Sequence, residues 1–420
     1  MLLRSSGGLS CAASRRIRHV TRQLTGGVRA MRSSSSSSSL SANDDEVSSG
    51  ISCRVSGASA SVTLNRPSKF NALNLPMVRA LTPRYLDWTT STAGSDGVKV
   101  VVMRGEGEKA FCAGGDVAAI YHEGLSGGSL PADFFYEEYQ LNHLIATAHE
   151  RAGVSQVAVW NGVTMGGGVG VSVHGKFRVA TEKTLFAMPE TGIGLFPDVG
   201  GTFALSRLQA GSAVGTYIAL TGARLKAADC LWSGLATHYV DSSAVPDLCA
   251  ALESMSPEQA ADEAQVSAVI DGFKSEPDES KATLRGVAAE IEECFSASTA
   301  EGIMERLEQK DTEWSKSTLK TLGKMSPLSM KVTLRAVREH ATTDVTIGEA
   351  LQTEYRLAQR FMRQQPDSDF FEGIRAVLIE KDHSPKWAHG SVVDVSEEVV
   401  DAFFAPLEAS HSRGELKLLA

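Results

Sequence analysis

Apolar positions along this chain switch repeatedly between two periods. Val98–Met103 and Val154–Trp160 are short, nearly continuous apolar runs that read as buried strands. Ser61–Leu64 alternates small or polar with apolar residues and ends at the turn Asn65-Arg66-Pro67. Leu73, Met77, Leu81, Tyr85 and Trp88 recur at helical spacing, which predicts a helix over Asn71–Trp88 with Asn74 as N-cap ahead of Pro76. Asp133–Ala148 is helical on the same grounds, and Phe177–Ala180 and Leu185–Met188 return to short strands. Short strands alternating with helices predict an α/β fold. Beyond about Val240 strand patterns vanish, and helical spacing dominates Val287–Gln309, Ser326–Ala341, Ile347–Met362 and Phe371–Glu380.

Two glycine-rich turns interrupt the pattern. Ala113-Gly114-Gly115-Asp116 and Met165-Gly166-Gly167-Gly168 each follow a strand and open a helix. Backbone without side chains can approach a ligand closely and offer it bare N–H groups at the positive end of a helix. Two such N–H groups converging from separate turns make an oxyanion hole. The second turn lies in Asn161–Gly201, which also carries Glu190 after one proline and Asp198 after another. Asp116 is placed to cap the helix after its turn, His174 and Cys112 read as structural, and Lys69 as a loop lysine or a contact for a nucleotide.

Charge divides the chain. The formal net charge of −9 splits into +7 for residues 1–43, which hold seven arginines and no acid, and −16 for the rest. An acid-free Arg- and Ser-rich start, followed by the Ser33–Ser39 run, predicts a mitochondrial transit peptide and flexible segment over residues 1–47. Residues 48–240 then form the α/β core with the active site, and 241–420 a C-terminal helical region. The acidic body predicts no nucleic-acid surface, and no apolar run is long enough for a membrane helix. Six cysteines without a C-x-x-C pair argue against a zinc site or a disulfide framework. H-E-x-x-H, G-x-G-x-x-G and P-loop motifs do not occur, so neither a metal nor a dinucleotide cofactor is expected.

The motifs LNRPSKFNALN (Leu64–Asn74), KAFCAGGD (Lys109–Asp116), FFYEEYQLN (Phe134–Asn142), Gly162–Gly201 and DFFEGIRAVLIEKDHSPKW (Asp369–Trp387) resemble the crotonase (enoyl-CoA hydratase/isomerase) superfamily. Within it they are similar to the 3-hydroxyisobutyryl-CoA hydrolase branch. The resemblance spans nearly everything after residue 50. It implies a spiral of ββα units, an acyl-CoA substrate whose CoA serves in place of a separate cofactor, and oxyanion N–H groups at Gly115 and Gly167. Hydratases of the family use two glutamates. The first would fall at Gly170, which has no side chain; the second matches Glu190. The hydrolase branch adds an aspartate matching Asp198 and a glutamate matching Glu138.

The resemblance implies thioester hydrolysis in valine breakdown, in the mitochondrial matrix. Glu190 either attacks the carbonyl to form a mixed anhydride or activates water as a base. Asp198 orients water or the substrate hydroxyl, or passes a proton, and Glu138 bonds the 3-hydroxyl. The competing readings are an isomerase using Glu190 alone, and a non-enzymatic scaffold in a mitochondrial assembly such as the ribosome. The intact Glu138, Glu190 and Asp198 set speaks against the scaffold. For the C-terminal helices the resemblance implies either a homo-oligomer or folding back onto the core.

Overall fold

The computed structural model describes residues 49–90, 97–342, 344–363 and 368–419. The transit-peptide reading of residues 1–47 lies outside them.

Among the described residues nine strands form two sheets. The larger runs β1 (Ile51–Ser56), β2 (Ser59–Leu64), β3 (Val100–Gly105), β5 (Ser155–Trp160), β7 (Phe177–Ala180) and β9 (His238–Tyr239) in that spatial order. Only the β1–β2 pair is antiparallel. The smaller sheet is parallel, in the order β4 (Ala110–Cys112), β6 (Val163–Met165) and β8 (Leu185–Ala187). From β3 to β9 the chain therefore deals one strand to the large sheet and the next to the small one. This is the ββα spiral that the resemblance implied.

Parallel strands need helices over both faces, which is why Val100–Met103 of β3 and Val157–Trp160 of β5 are apolar. Their alternation sends Val101, Met103, Ala158 and Trp160 into the main core. Val100, Val102, Val157 and Val159 go to a second core on the far face, closed by Leu248, Leu252, Val266 and Ile270. The main core continues without a break into C-terminal helices through Leu334, Leu351, Tyr355 and Phe370.

Helix Leu75–Thr90 is capped as expected, with the Asn74 side chain accepting from the Met77 N–H at 3.1 Å. The long helix predicted over Val287–Gln309 is instead two, Leu284–Phe295 and Ala300–Lys310. Thr299 is extended and its hydroxyl accepts from the Gly302 N–H, so a new N-cap starts where apolar periodicity ran on. Strands β4 and β6, three residues each, are too short to carry a period and were hidden inside the glycine motifs.

Candidate active site

The small sheet explains how three distant segments meet. Gly114-Gly115 leave the end of β4, Gly166-Gly167 the end of β6, and Pro189-Glu190 the end of β8, and these three strands are neighbours. With β6 in the middle, both glycine turns and Glu190 stand side by side at the carboxyl ends of parallel strands, where open α/β folds bind ligands.

The glycines are there for closeness. A Cβ on Gly167 would sit 2.6 Å from Glu138 Oε1 and 3.3 Å from the Gly115 nitrogen. A Cβ on Gly166 would sit 2.9 Å from Glu190 Oε1, and its φ of +46° also favours glycine. Among the described residues, neither the Gly115 nor the Gly167 amide donates to a protein acceptor. The turn after β4 is held from outside. Arg66 pairs with Asp116 at 2.9 Å, Asp116 caps the next helix through the Ala119 N–H, and Asn71 Nδ2 donates to the Ala110 carbonyl at 2.8 Å.

Glu138 arrives on helix Leu130–Ala152, whose buried face also carries Phe134, Tyr139 and Asn142. Asp198 follows Pro197 in the loop before helix Gly201–Ser206. The three carboxyl groups, both glycine turns and Phe134 line one cavity of 90 Å³. That is small beside the roughly 300–1,000 Å³ of pockets for drug-sized ligands. All three acids are buried. Burial pushes Glu138 well above the usual carboxylate range, and the Asp198 charge adds to it. Glu190 is raised for the same two reasons. Asp198 is pushed up to about 6 by burial, checked by the Tyr139 hydroxyl that donates to its Oδ2 at 2.6 Å. Glu138 Oε1 and Glu190 Oε2 have no hydrogen-bond partner. A buried polar atom left alone costs about 1–3 kcal/mol, so these two oxygens are set for something that enters the cavity.

Every residue expected at the active site thus lies at one site: Glu138, Glu190, Asp198, Gly115 and Gly167. His174 stays outside it, bonding through Nε2 to the Val199 carbonyl at 2.9 Å, and Cys112 is buried. Lys69 is exposed. Two contributors escaped notice. Tyr139 is adjacent to Glu138, and a hydroxyl on the same helix face was the available signal. Glu354 sits on the apolar stripe of helix Ile347–Phe361, where an acid at helical spacing among Leu351, Leu357 and Ala358 is itself a signal. A larger cavity of 320 Å³ borders His174, Arg178 and Arg207. Those two arginines are committed to backbone carbonyls, and the cavity lining holds no acid. Among the described residues no cluster of His, Cys, Asp and Glu is arranged to hold a metal ion, and no helix is long and apolar enough to cross a membrane.

The enoyl-CoA hydratase/isomerase family profile matches residues 59–404. The mitochondrial 3-hydroxyisobutyryl-CoA hydrolase of Danio rerio is 44% identical over 84% of this chain and 88% of that protein. The Dictyostelium discoideum protein of the same name is 42% identical over 84% and 90%. A solved structure, a carnitinyl-CoA dehydratase from Mycobacterium thermoresistibile, overlays with a TM-score of 0.76 at 34% identity, covering 88% of this chain and 98% of that one. The chain belongs to the enoyl-CoA hydratase/isomerase (crotonase) family, in its 3-hydroxyisobutyryl-CoA hydrolase branch.

Proposed function

We propose that this protein hydrolyses 3-hydroxyisobutyryl-CoA to 3-hydroxyisobutyrate and CoA, in the mitochondrial matrix, as a step of valine breakdown. The observation that carries the reading is the set of three buried acids gathered on two free N–H groups, with no side chain at Gly170. Relatives named for this reaction, and named mitochondrial, support it. The missing acid at Gly170 weighs against hydration by a glutamate pair.

The thioester carbonyl oxygen points at the Gly115 and Gly167 N–H groups, which hold the negative charge that develops there; one such donor is worth roughly 3–4 kcal/mol. Asp198, whose charged form the Tyr139 hydroxyl favours, takes a proton from water as the water oxygen bonds to the carbonyl carbon. Burial and the nearby Asp198 charge raise Glu190, which favours its protonated form. As the tetrahedral intermediate collapses, the C–S bond breaks and Glu190 gives that proton to the departing sulfur. Glu138 bonds the 3-hydroxyl through its unpartnered Oε1. These steps use only the chain, the substrate and water, with no metal or redox group. The small cavity suits a short acyl group.

The test is release of free CoA from 3-hydroxyisobutyryl-CoA by the wild type and by Glu190→Gln. A fall of about 10²–10⁴-fold in the variant is expected. Equal rates in the two would remove Glu190 from the reaction. Single turnover in isotope-labelled water adds a one-way test: label in Glu190 means the anhydride.

A further inference from the structure

We propose that Glu354 is a positioning residue for Asp198, gripping from the C-terminal helical region the turn that carries it. The inference rests on the hydrolytic reading above.

Glu354 is fully buried on helix Ile347–Phe361, far from Asp198 in sequence. Its carboxylate accepts from the Gly200 N–H at 2.5 Å, from the Thr202 N–H at 3.2 Å and from the Thr202 hydroxyl. Those donors lie two and four residues after Asp198. They include amides at the start of helix Gly201–Ser206 that no earlier carbonyl of the helix can satisfy.

The turn needs an external hold. Val199, between Asp198 and Gly200, is a β-branched residue at φ +57°, a strained conformation for such a side chain. Such backbone persists only where its surroundings over-determine it. Here they do. His174 takes the Val199 carbonyl at 2.9 Å, Glu354 takes the two N–H groups beyond it, and Tyr139 takes the Asp198 side chain at 2.6 Å. Burial holds the His174 ring down to about 4, so the ring is neutral and Nε2 is the nitrogen that carries the proton it donates. Of these holds, Glu354 is the carboxylate furthest from need: it does not line the cavity, and an apolar residue would pack its helix more cheaply than a buried acid. The bonds it makes to the turn account for its being there.

The experiment is a double-mutant cycle of Glu354→Gln and Asp198→Asn, read as kcat and KM for CoA release, with thermal unfolding to check the fold. Gln keeps the size but turns an amide nitrogen toward donors it cannot accept from. The expected result is a fall in kcat on the order of 10²-fold for Glu354→Gln with KM nearly unchanged, as for a displaced catalytic group. In the Asp198→Asn background the same change should cost nothing further. Wild-type kcat in folded Glu354→Gln, or a loss that adds in full to that of Asp198→Asn, overturns the proposal. If Glu354→Gln does not fold, Thr202→Val decides: a lower kcat at unchanged KM supports the grip, and wild-type kcat overturns it. An inactive wild type, or a fully active Asp198→Asn, sinks the hydrolytic reading itself and the inference with it, and neither result resembles the others.

Discussion

Val199 fills the space from which any side chain on Gly170 would grow. A Cβ at position 170 would lie 2.5 Å from Val199 Cβ and 3.0 Å from Asn142 Nδ2. The missing hydratase acid and the turn that brings in Asp198 are therefore one feature. The chain cannot hold both arrangements, because the loop that presents Asp198 packs its next residue where the glutamate would stand.

That exclusion makes position 170 intolerant. Gly170→Ala is expected to lose about 1–3 kcal/mol of stability, the cost of overpacking a filled core. Urea unfolding midpoints would measure it. Gly170→Glu should not hydrate an enoyl-CoA, and a variant that did so while keeping wild-type stability would contradict the packing argument.

The Gly167→Ala variant aims a methyl into the oxyanion site, 3.3 Å from the Gly115 nitrogen. Gly167 is not at positive φ, so the backbone accepts alanine, and Glu138 Oε1 can swing away. Thermal stability should change little, while kcat for CoA release falls by about 10²–10³-fold, as for a lost oxyanion donor. Comparable activity in the two proteins would mean that the carbonyl binds elsewhere.

Tyr139→Phe should move the acidic limb of the kcat profile to higher pH. The Tyr139 hydroxyl donates to ionised Asp198 and so favours its charged form, lowering an acid that burial has raised to about 6. Without the donor the carboxyl holds its proton to higher pH, and the variant loses more activity near pH 6 than near pH 8. A parallel loss at all pH values would mean that Tyr139 acts by packing alone.

His340 offers a stability test on the acid side. Burial pushes its ring down to about 4 from an ordinary 6.5, and Nδ1 pairs with the Thr202 hydroxyl at 2.8 Å. The folded ring stays neutral while the unfolded one protonates, so stability is present above 6.5 and lost as pH falls toward 4. That loss amounts to at most roughly 3 kcal/mol. Asp198 and Glu354, both raised by burial, respond in the opposite direction, but they are common to wild type and variant. The gap in unfolding free energy between wild type and His340→Gln should therefore shift in favour of the variant between pH 6.5 and 4, and a constant gap would refute it.

Much of the molecule was legible locally. The apolar runs at Val98–Met103 and Val154–Trp160, the helical spacing from Leu73 to Trp88, and the glycine turns and acids of the site all announce themselves within a few residues of sequence. The break between Phe295 and Ala300 did not, because apolar spacing continues across it and a single threonine cap outweighs the period. Strands β4 and β6 were equally silent, since their identity lies in their neighbours, whereas β8 was legible as the run Leu185–Met188.

Which residues could do chemistry, and which backbone segments were bare enough to touch a ligand, could be read locally, because those are properties of side chains and of short stretches of chain. Packing alone places β4, β6 and β8 side by side, closes position 170 with Val199, and sets Tyr139 on Asp198 and Glu354 on the turn that follows it. Each of these joins residues far apart along the chain. Their energies come from burial and from hydrogen bonds whose partners are fixed by packing, and no local pattern of residues encodes that distance.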